Sequence, residues 1–295
     1  MLRRLWTLFA ALVMAVGLAV VLPASTASAA ECATPWSSAT VYTGGKAASY
    51  NGRNWLAKWW TQNERPGSAD VWSDQGACGG GGGTPAPSPS GFVVSEAQFH
   101  QMFPNRNSFY TYSGLTAALS AYPAFANTGG DTVKKQEAAA FLANVSHETG
   151  GLVHIVEQNT ANYPHYCDRN QPYGCPAGQA AYYGRGPIQL SWNFNYKAAG
   201  DALGIDLLNN PYRVERESAV AWKTGLWYWN TQNGPGTMTP HHAMVNGAGF
   251  GQTIRSINGA LECDGKNPAQ VQSRINNYQR FTQILGVPTG SNLSC

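Results

Sequence analysis

Asn144-Val145-Ser146-His147-Glu148-Thr149-Gly150-Gly151, with a second acid at Glu157, is the stretch from which the rest of the chain is read. Phe141, Val145 and Glu148 keep the i, i+4, i+7 spacing of one helix face, so Glu148 shares the inward side of a helix that ends here. A carboxyl pressed against apolar neighbours has its ionised form disfavoured, which suits a general acid working near neutral pH. Gly150 and Gly151 forbid the helix to continue, because glycine takes the left-handed conformation that closes a helix. An unbroken helix would carry Glu157 roughly 13 Å along the axis and about half a turn round. The glycine pair instead lets the chain turn back, so that both carboxyls face one cleft. Two carboxyls in unlike environments are the parts that glycoside hydrolysis needs. Spacing alone does not decide the matter, since most glutamates are solvated surface charges.

The N-terminus reads as an export signal, residues 1–29. Arg3 and Arg4 supply a positive start, Leu5 to Leu22 the apolar core, and Ala27-Ser28-Ala29 a small-x-small cleavage site after Pro23. The apolar run is nearly long enough for a membrane anchor, but Pro23 and the cleavage site favour removal. No later stretch is long and apolar enough to span a membrane, so the expected location is extracellular.

The formal net charge is +3, and taking away Arg3 and Arg4 leaves +1. Such a balance argues against nucleic acid, which calls for clustered Lys and Arg; the mature chain has one basic doublet, Lys134-Lys135. A surface rich in Asn, Gln, Ser, Gly and aromatics suits neutral, hydroxylated ligands. Nothing in the sequence calls for a cofactor or an oligomer, and a monomer is expected.

Six cysteines, an even number in an exported chain, imply three disulfides. Fifteen connectivities are possible for six cysteines. The nested set Cys32–Cys78, Cys167–Cys175 and Cys263–Cys295 is preferred because each bond stays within a local unit. Zinc is disfavoured: no Cys-x-x-Cys occurs, and His147-Glu148 does not continue to His-Glu-x-x-His because position 151 is Gly.

Residues 79–91, a glycine run followed by Thr-Pro-Ala-Pro-Ser-Pro-Ser-Gly, form a linker that cannot build a core. They separate a small module, residues 30–78, from a body spanning residues 92–295. The module holds Trp36, Trp55, Trp59, Trp60 and Trp72, five of the ten tryptophans. Turns at Gly44-Gly45 and Asn51-Gly52 between short aromatic or β-branched runs predict β-hairpins. Adjacent strand residues face opposite ways, so Trp59 and Trp60 cannot both be core. An exposed indole offers a flat platform for a sugar ring, whereas Trp36, Trp55 and Trp72 are expected to fill the module's core.

The body is mostly helical. Ser95-Glu96-Ala97-Gln98 is a capping box, Asp131 is expected to cap the helix carrying Glu148, and Asn267-Pro268 to open the last one. Val271, Ile275, Tyr278, Phe281 and Leu285 make that helix's core stripe, and Gly286 ends it. Between Glu148 and about Gln189 there is no helical period, which predicts loops and a short hairpin. A helical body with a loop-rich insertion fits two lobes flanking a groove. Of Trp222, Trp227 and Trp229 at least two should be core, with Lys223 pointing into the groove.

Two resemblances follow. Ala57-Lys58-Trp59-Trp60-Thr61-Gln62-Asn63-Glu64-Arg65-Pro66-Gly67, with Trp36, Trp72 and Cys78, resembles the family 5/12 carbohydrate-binding modules of bacterial chitinases. The resemblance implies that Trp59 and Trp60 form the exposed pair that meets chitin. His147-Glu148-Thr149-Gly150-Gly151, Tyr182-Tyr183-Gly184-Arg185-Gly186-Pro187-Ile188-Gln189-Leu190-Ser191 and Ile257-Asn258-Gly259-Ala260-Leu261-Glu262-Cys263 resemble the glycoside hydrolase family 19 chitinases. This likeness implies a mainly α, lysozyme-like, two-lobed catalytic domain beside a small all-β module, and cleavage of β-1,4 bonds between N-acetylglucosamine units with inversion. It implies Glu148 as general acid, Glu157 as general base and Ser191 as a holder of the attacking water. Gln189, Asn195, Lys223, Asn258 and Arg274 match positions that bind sugar or order the cleft. Glu262 and Arg274 are expected to form a charged network with Glu148, and His147 to be a hydrogen-bonded cleft residue. Phe194 departs from the Tyr common in plant members. Substrates would be chitin and its oligosaccharides, and an antifungal role follows from chitin being a fungal wall polymer. A muramidase and a non-catalytic adhesive protein are the alternatives.

Overall fold

The computed structural model describes residues 32–38, 40–50, 53–78 and 91–295. The export signal, residues 1–29, and nearly all of the linker lie outside the described residues. The chain divides into two units, Met1–Gly82 and Gly83–Cys295.

In the first unit β2 (Ala47–Tyr50), β3 (Arg53–Ala57) and β5 (Trp72–Ala77) form an antiparallel sheet in the order β2-β3-β5, and β1 (Val41–Tyr42) pairs with β4 (Thr61–Gln62). The register Tyr50↔Arg53 makes β2 and β3 a hairpin, whose expected turn, Asn51-Gly52, lies outside the described residues. Gly44-Gly45 does not close a hairpin, because the strands it joins, β1 and β2, pair with different partners. Tyr42, Ala48, Ala57, Val71 and Trp72 are the core, with Trp36 and Trp55 packed against it. Cys32–Cys78 joins the first and last described residues of the unit, as so small a core needs. Trp59 and Trp60 are 56% and 59% exposed. They lie in the bend between β3 and β4 rather than in a strand, so alternation does not apply and both face outward.

The second unit is built of α1 (Glu96–Met102), α2 (Tyr112–Ala118), α3 (Asp131–Thr149), α4 (Asn193–Leu203), α5 (Arg213–Arg216), α6 (Ser218–Thr231), α7 (Pro240–Val245), α8 (Phe250–Glu262) and α9 (Pro268–Ile284). Ser95 and Gln98 make the capping box of α1, and Asn267 caps α9 by accepting from Gln270 N–H. Asp131 is not a cap: Gly130 takes the N-cap position of α3, and Asp131 is the first helical residue, ion-paired with Lys135 one turn on.

The body has two apolar cores. One is made by α1, α2, α3, α7, α8 and α9, with Phe99, Phe141, Phe250 and Tyr278 fully buried. The other lies under the segment after α3, with Tyr182, Leu190, Tyr196 and Leu207. Helix α6 serves both, giving Trp222, Leu226 and Trp229 to the first and Val220, Ala221 and Trp227 to the second. All three tryptophans are therefore core. The segment between α3 and α4 holds a 3-10 stretch (Thr160–Tyr166) and two isolated bridges, Val156↔Arg185 and Arg185↔Leu190. These bridges take the place of the expected hairpin. Cys167–Cys175 and Cys263–Cys295 are both formed.

Candidate active site

Helix α3 delivers Glu148 in its last turn and ends at Gly150, whose φ of 61° is left-handed. Gly151 (φ 81°) and Leu152 (φ 63°) continue the reversal. Thr149 fastens it, its Oγ1 accepting from Leu152 N–H at 2.7 Å and its carbonyl from His154 N–H at 3.0 Å. The returning chain then pairs with the next segment: Glu157 N–H donates to Gly184 O and Gly186 N–H to Ile155 O. Glu157 is thus fixed by backbone as well as by side chain. Glu148 and Glu157 line one groove of about 530 Å³, with Tyr166, Gln189, Ser191 and Asn195 also on its walls.

The two carboxyls sit in different settings. Glu148 shares its groove wall with Ile257, Leu261 and Tyr228, but its carboxyl also has a charged partner. Its Oε1 accepts from Arg274 Nη2 at 2.5 Å, because α9 packs along α3 and aims the guanidinium at the end of that helix. Arg274 is 1% exposed and also donates to both oxygens of Glu262, at 2.7 and 2.8 Å, and to Asn144 Oδ1 at 3.1 Å. Burial works against the charge of Glu262, but the hydrogen bonds and charge of Arg274 outweigh it and hold its carboxyl below the usual range. For Arg274 the same balance, burial against two carboxylates, leaves the guanidinium more firmly protonated than usual.

Glu157 is held by neutral donors instead. Asn162 Nδ2 and Tyr166 OH both donate to its Oε1, at 2.8 and 3.0 Å, while Gly184 N–H lies 3.5 Å from Oε2. Burial and the hydrogen bond to Glu157 push the Tyr166 hydroxyl up to about 12, so it remains a donor. The 3-10 stretch carrying Asn162 and Tyr166 is anchored by a stack: the Tyr163 and Tyr183 rings lie 3.7 Å apart, and the Arg185 guanidinium sits 3.5 Å from the Tyr183 ring. Arg185 is fully buried and bonded to Glu215, Ala181 O and Tyr196 OH.

The other expected site residues fall as follows. Ser191 lines the groove and does not cap α4, whose N-cap is Trp192 with no side-chain bond. Gln189 (φ 51°) donates to Gly186 O, and Asn195 donates to Ser191 O. Asn258 interrupts the helical backbone of α8 (φ −143°, ψ 26°) and donates to Glu262 Oε1 at 2.7 Å. His147 Nδ1 lies 3.0 Å from Ser273 Oγ; burial, then the Arg274 charge, hold its imidazole below the usual range. Lys223 is half-buried and lines neither this groove nor the hollow of about 320 Å³ that adjoins Glu148. The same helix sends Tyr228 instead, five residues on and so about 140° round the axis. Phe194 stacks on Trp192, with ring centroids 5.5 Å apart.

Sequence reading missed Asn162, Tyr166, Tyr228 and Leu261. Tyr166 lies beside Cys167, and that disulfide loop is tied to α4 through buried Asn193, which bonds Asp168 and Gly174. Among the described residues no cluster of three or more His, Cys, Asp or Glu could hold a metal ion.

A two-lobed, lysozyme-like helical domain with two carboxylates on one groove has the architecture of a glycoside hydrolase. Residues 93–295 match the family described as class I chitinase, glycoside hydrolase family 19, and the chain belongs to that family. Residues 35–73 match carbohydrate-binding module family 5/12. Among solved structures the chain is similar to chitinase C from Streptomyces griseus HUT6037, with 77% identity, a TM-score of 0.69, and coverage of 90% of this chain and all of that one. It is likewise similar to a bacterial family 19 chitinase described as differing from plant enzymes, with 85% identity, a TM-score of 0.69, and coverage of 69% and 100% of the two chains. Chitinase 6 of Oryza sativa subsp. japonica is 47% identical over 188 residues, or 63% of this chain; the match spans 66% of the rice protein's length.

Proposed function

We propose that the protein is a secreted endochitinase that hydrolyses β-1,4 bonds between N-acetylglucosamine units with inversion. The observation that carries this is the pair Glu148 and Glu157 on one groove, one carboxylate paired with a cation and the other held by neutral donors. Glu148 protonates the glycosidic oxygen as the bond breaks. Its proton is passed beside Arg274, whose charge the buried Glu262 offsets and which keeps its two bonds to Glu262 when Glu148 is neutral. Glu157 takes a proton from the water that attacks the anomeric carbon from the opposite face, and Ser191 helps hold that water. Inversion needs carboxyls set far enough apart to admit water.

His147, Gln189, Asn195, Asn258, Glu262 and Arg274 bind the sugar or hold the residues that do. The similarity of the first unit to chitin-binding modules supports anchoring through Trp59 and Trp60. Export rests on the N-terminal signal pattern and three disulfides, and attack on fungal walls would follow from the substrate.

Proton NMR of the anomeric signals in the first minutes of digestion of the N-acetylglucosamine hexamer tests the mechanism. Nascent α-anomer is expected. Nascent β-anomer would mean retention and remove Glu157 from its role as base.

A further inference from the structure

Two hollows meet in this groove. The larger, about 530 Å³, and the smaller, about 320 Å³, share three lining residues: Glu148, Asn258 and Leu261. Glu148 and Asn258 have polar partners, Arg274 and Glu262. Leu261 is of another kind. It is 69% exposed, yet its neighbour in sequence, Glu262, is 3% exposed.

A single exposed leucine elsewhere on a surface needs no explanation. Here position gives it one. Helix α8 breaks at Asn258 (φ −143°, ψ 26°), and Leu261 follows Ile257, another lining residue, by one turn. A sugar chain running from one hollow into the other passes Glu148 and Leu261 together. Its hydroxyls and amides find Asn258, Gln189 and Asn195 on the walls. Its apolar parts are the ring faces and the acetyl methyl groups. Flat faces suit an aromatic ring, and Trp192 lines the larger hollow; a branched aliphatic side chain suits a methyl group.

We infer that Leu261 is a specificity residue, packing on the acetyl methyl of the sugar unit that bridges the two hollows and so selecting acetylated over deacetylated units. The inference rests on the reading of Glu148 as the general acid, since that reading places the cleaved bond at the junction. A deacetylated unit presents an ammonium group there, which gains nothing from an apolar neighbour.

The test compares Leu261→Asn, close in size but polar, with Leu261→Met, apolar, on the N-acetylglucosamine hexamer and on partially deacetylated chitosan with product ends sequenced. Leu261→Asn is expected to lower kcat/KM on the hexamer about tenfold and to relax the preference for acetylated units at the new ends on chitosan. Leu261→Met should restore both. Neither should lower Tm, because the side chain is mostly exposed. Unchanged acetyl preference in Leu261→Asn, with Glu148→Gln inactive on the hexamer, overturns the inference alone. A fully active Glu148→Gln would overturn the reading of the acid, and the inference with it.

Discussion

Arg274 Nη2 lies 2.5 Å from Glu148 Oε1, so a carboxylate at the groove surface is gripped by a guanidinium that is itself 1% exposed. The grip is shared with Glu262, which is 3% exposed and bonded to Arg274 through both oxygens. Charge at the groove is therefore set from inside the first core, by a cation that cannot be solvated if its partners are removed.

Removing Arg274 should damage stability and activity together. Arg274→Ala strands Glu262 as a buried unpaired charge, a change that typically costs about 3–5 kcal/mol. Thermal unfolding should report the loss. Replacing Arg274 and Glu262 together by methionines should recover much of the stability but not the activity; if the pair of changes restored both, the network would have no part in the chemistry.

Acid should act through Glu262. Its carboxyl titrates below the ordinary value of 4.5 in the folded chain, so the unfolded chain takes up that proton first. The stabilisation is fully present above that ordinary value and is lost as pH falls through the lower, folded one. Denaturant midpoints of the wild type should thus decline below about pH 4.5 more steeply than those of Glu262→Gln. Parallel declines would show that other carboxyls govern the acid limb.

The two acids should separate binding from turnover. Glu148→Gln and Glu157→Gln keep size and hydrogen bonding but lose proton transfer, a contribution of about 10²–10⁴ in rate. Hexamer affinity by calorimetry should stay close to wild type while kcat collapses. A variant that kept a normal kcat would not be the acid or base.

Tyr166→Phe removes one of two side-chain donors on Glu157 Oε1 while keeping the ring against Trp192, 5.6 Å away. A hydrogen bond to a charged group is worth about 1.5–3 kcal/mol, so kcat should fall about tenfold or more with KM little changed. A shift confined to KM would mean that Tyr166 acts on the sugar instead.

Trp59→Ala with Trp60→Ala should abolish adsorption to solid chitin and leave hydrolysis of soluble oligomers unaltered. Both indoles are more than half exposed and outside the strands, so the module should keep its fold. Equal activity on solid chitin before and after the change would show that anchoring is irrelevant.

What was legible in the sequence was whatever repeats or punctuates locally. The stripe of α9, the capping box at Ser95 and the stop at Gly150 all follow from spacing and from glycine's backbone freedom. The setting of the acids was not legible from spacing: Glu148 depends on Arg274, 126 positions away, and Glu157 on Asn162 and Tyr166 in a segment with no period to read. Helix period predicted apolar company for Glu148 but not the Arg274 guanidinium, and the apolar flanks of Lys223 pointed it at the groove, where α6 sends Tyr228. The loop segment has no period to read; Arg185 takes the place of an apolar anchor there, collecting Tyr183, Tyr196 and Glu215 around one buried cation.

Helix α6 places side chains in both cores, and that has a mechanical consequence. Neither lobe can rotate away from the other without pulling Trp222 or Trp227 out of its own packing. The two cores are therefore expected to move together, and the groove between them to keep its width. Residues 153–180, before the buried run that carries Tyr182 and Arg185, contain no buried residue. Amide exchange should accordingly be slow throughout α6 and faster around the 3-10 stretch that carries Tyr166.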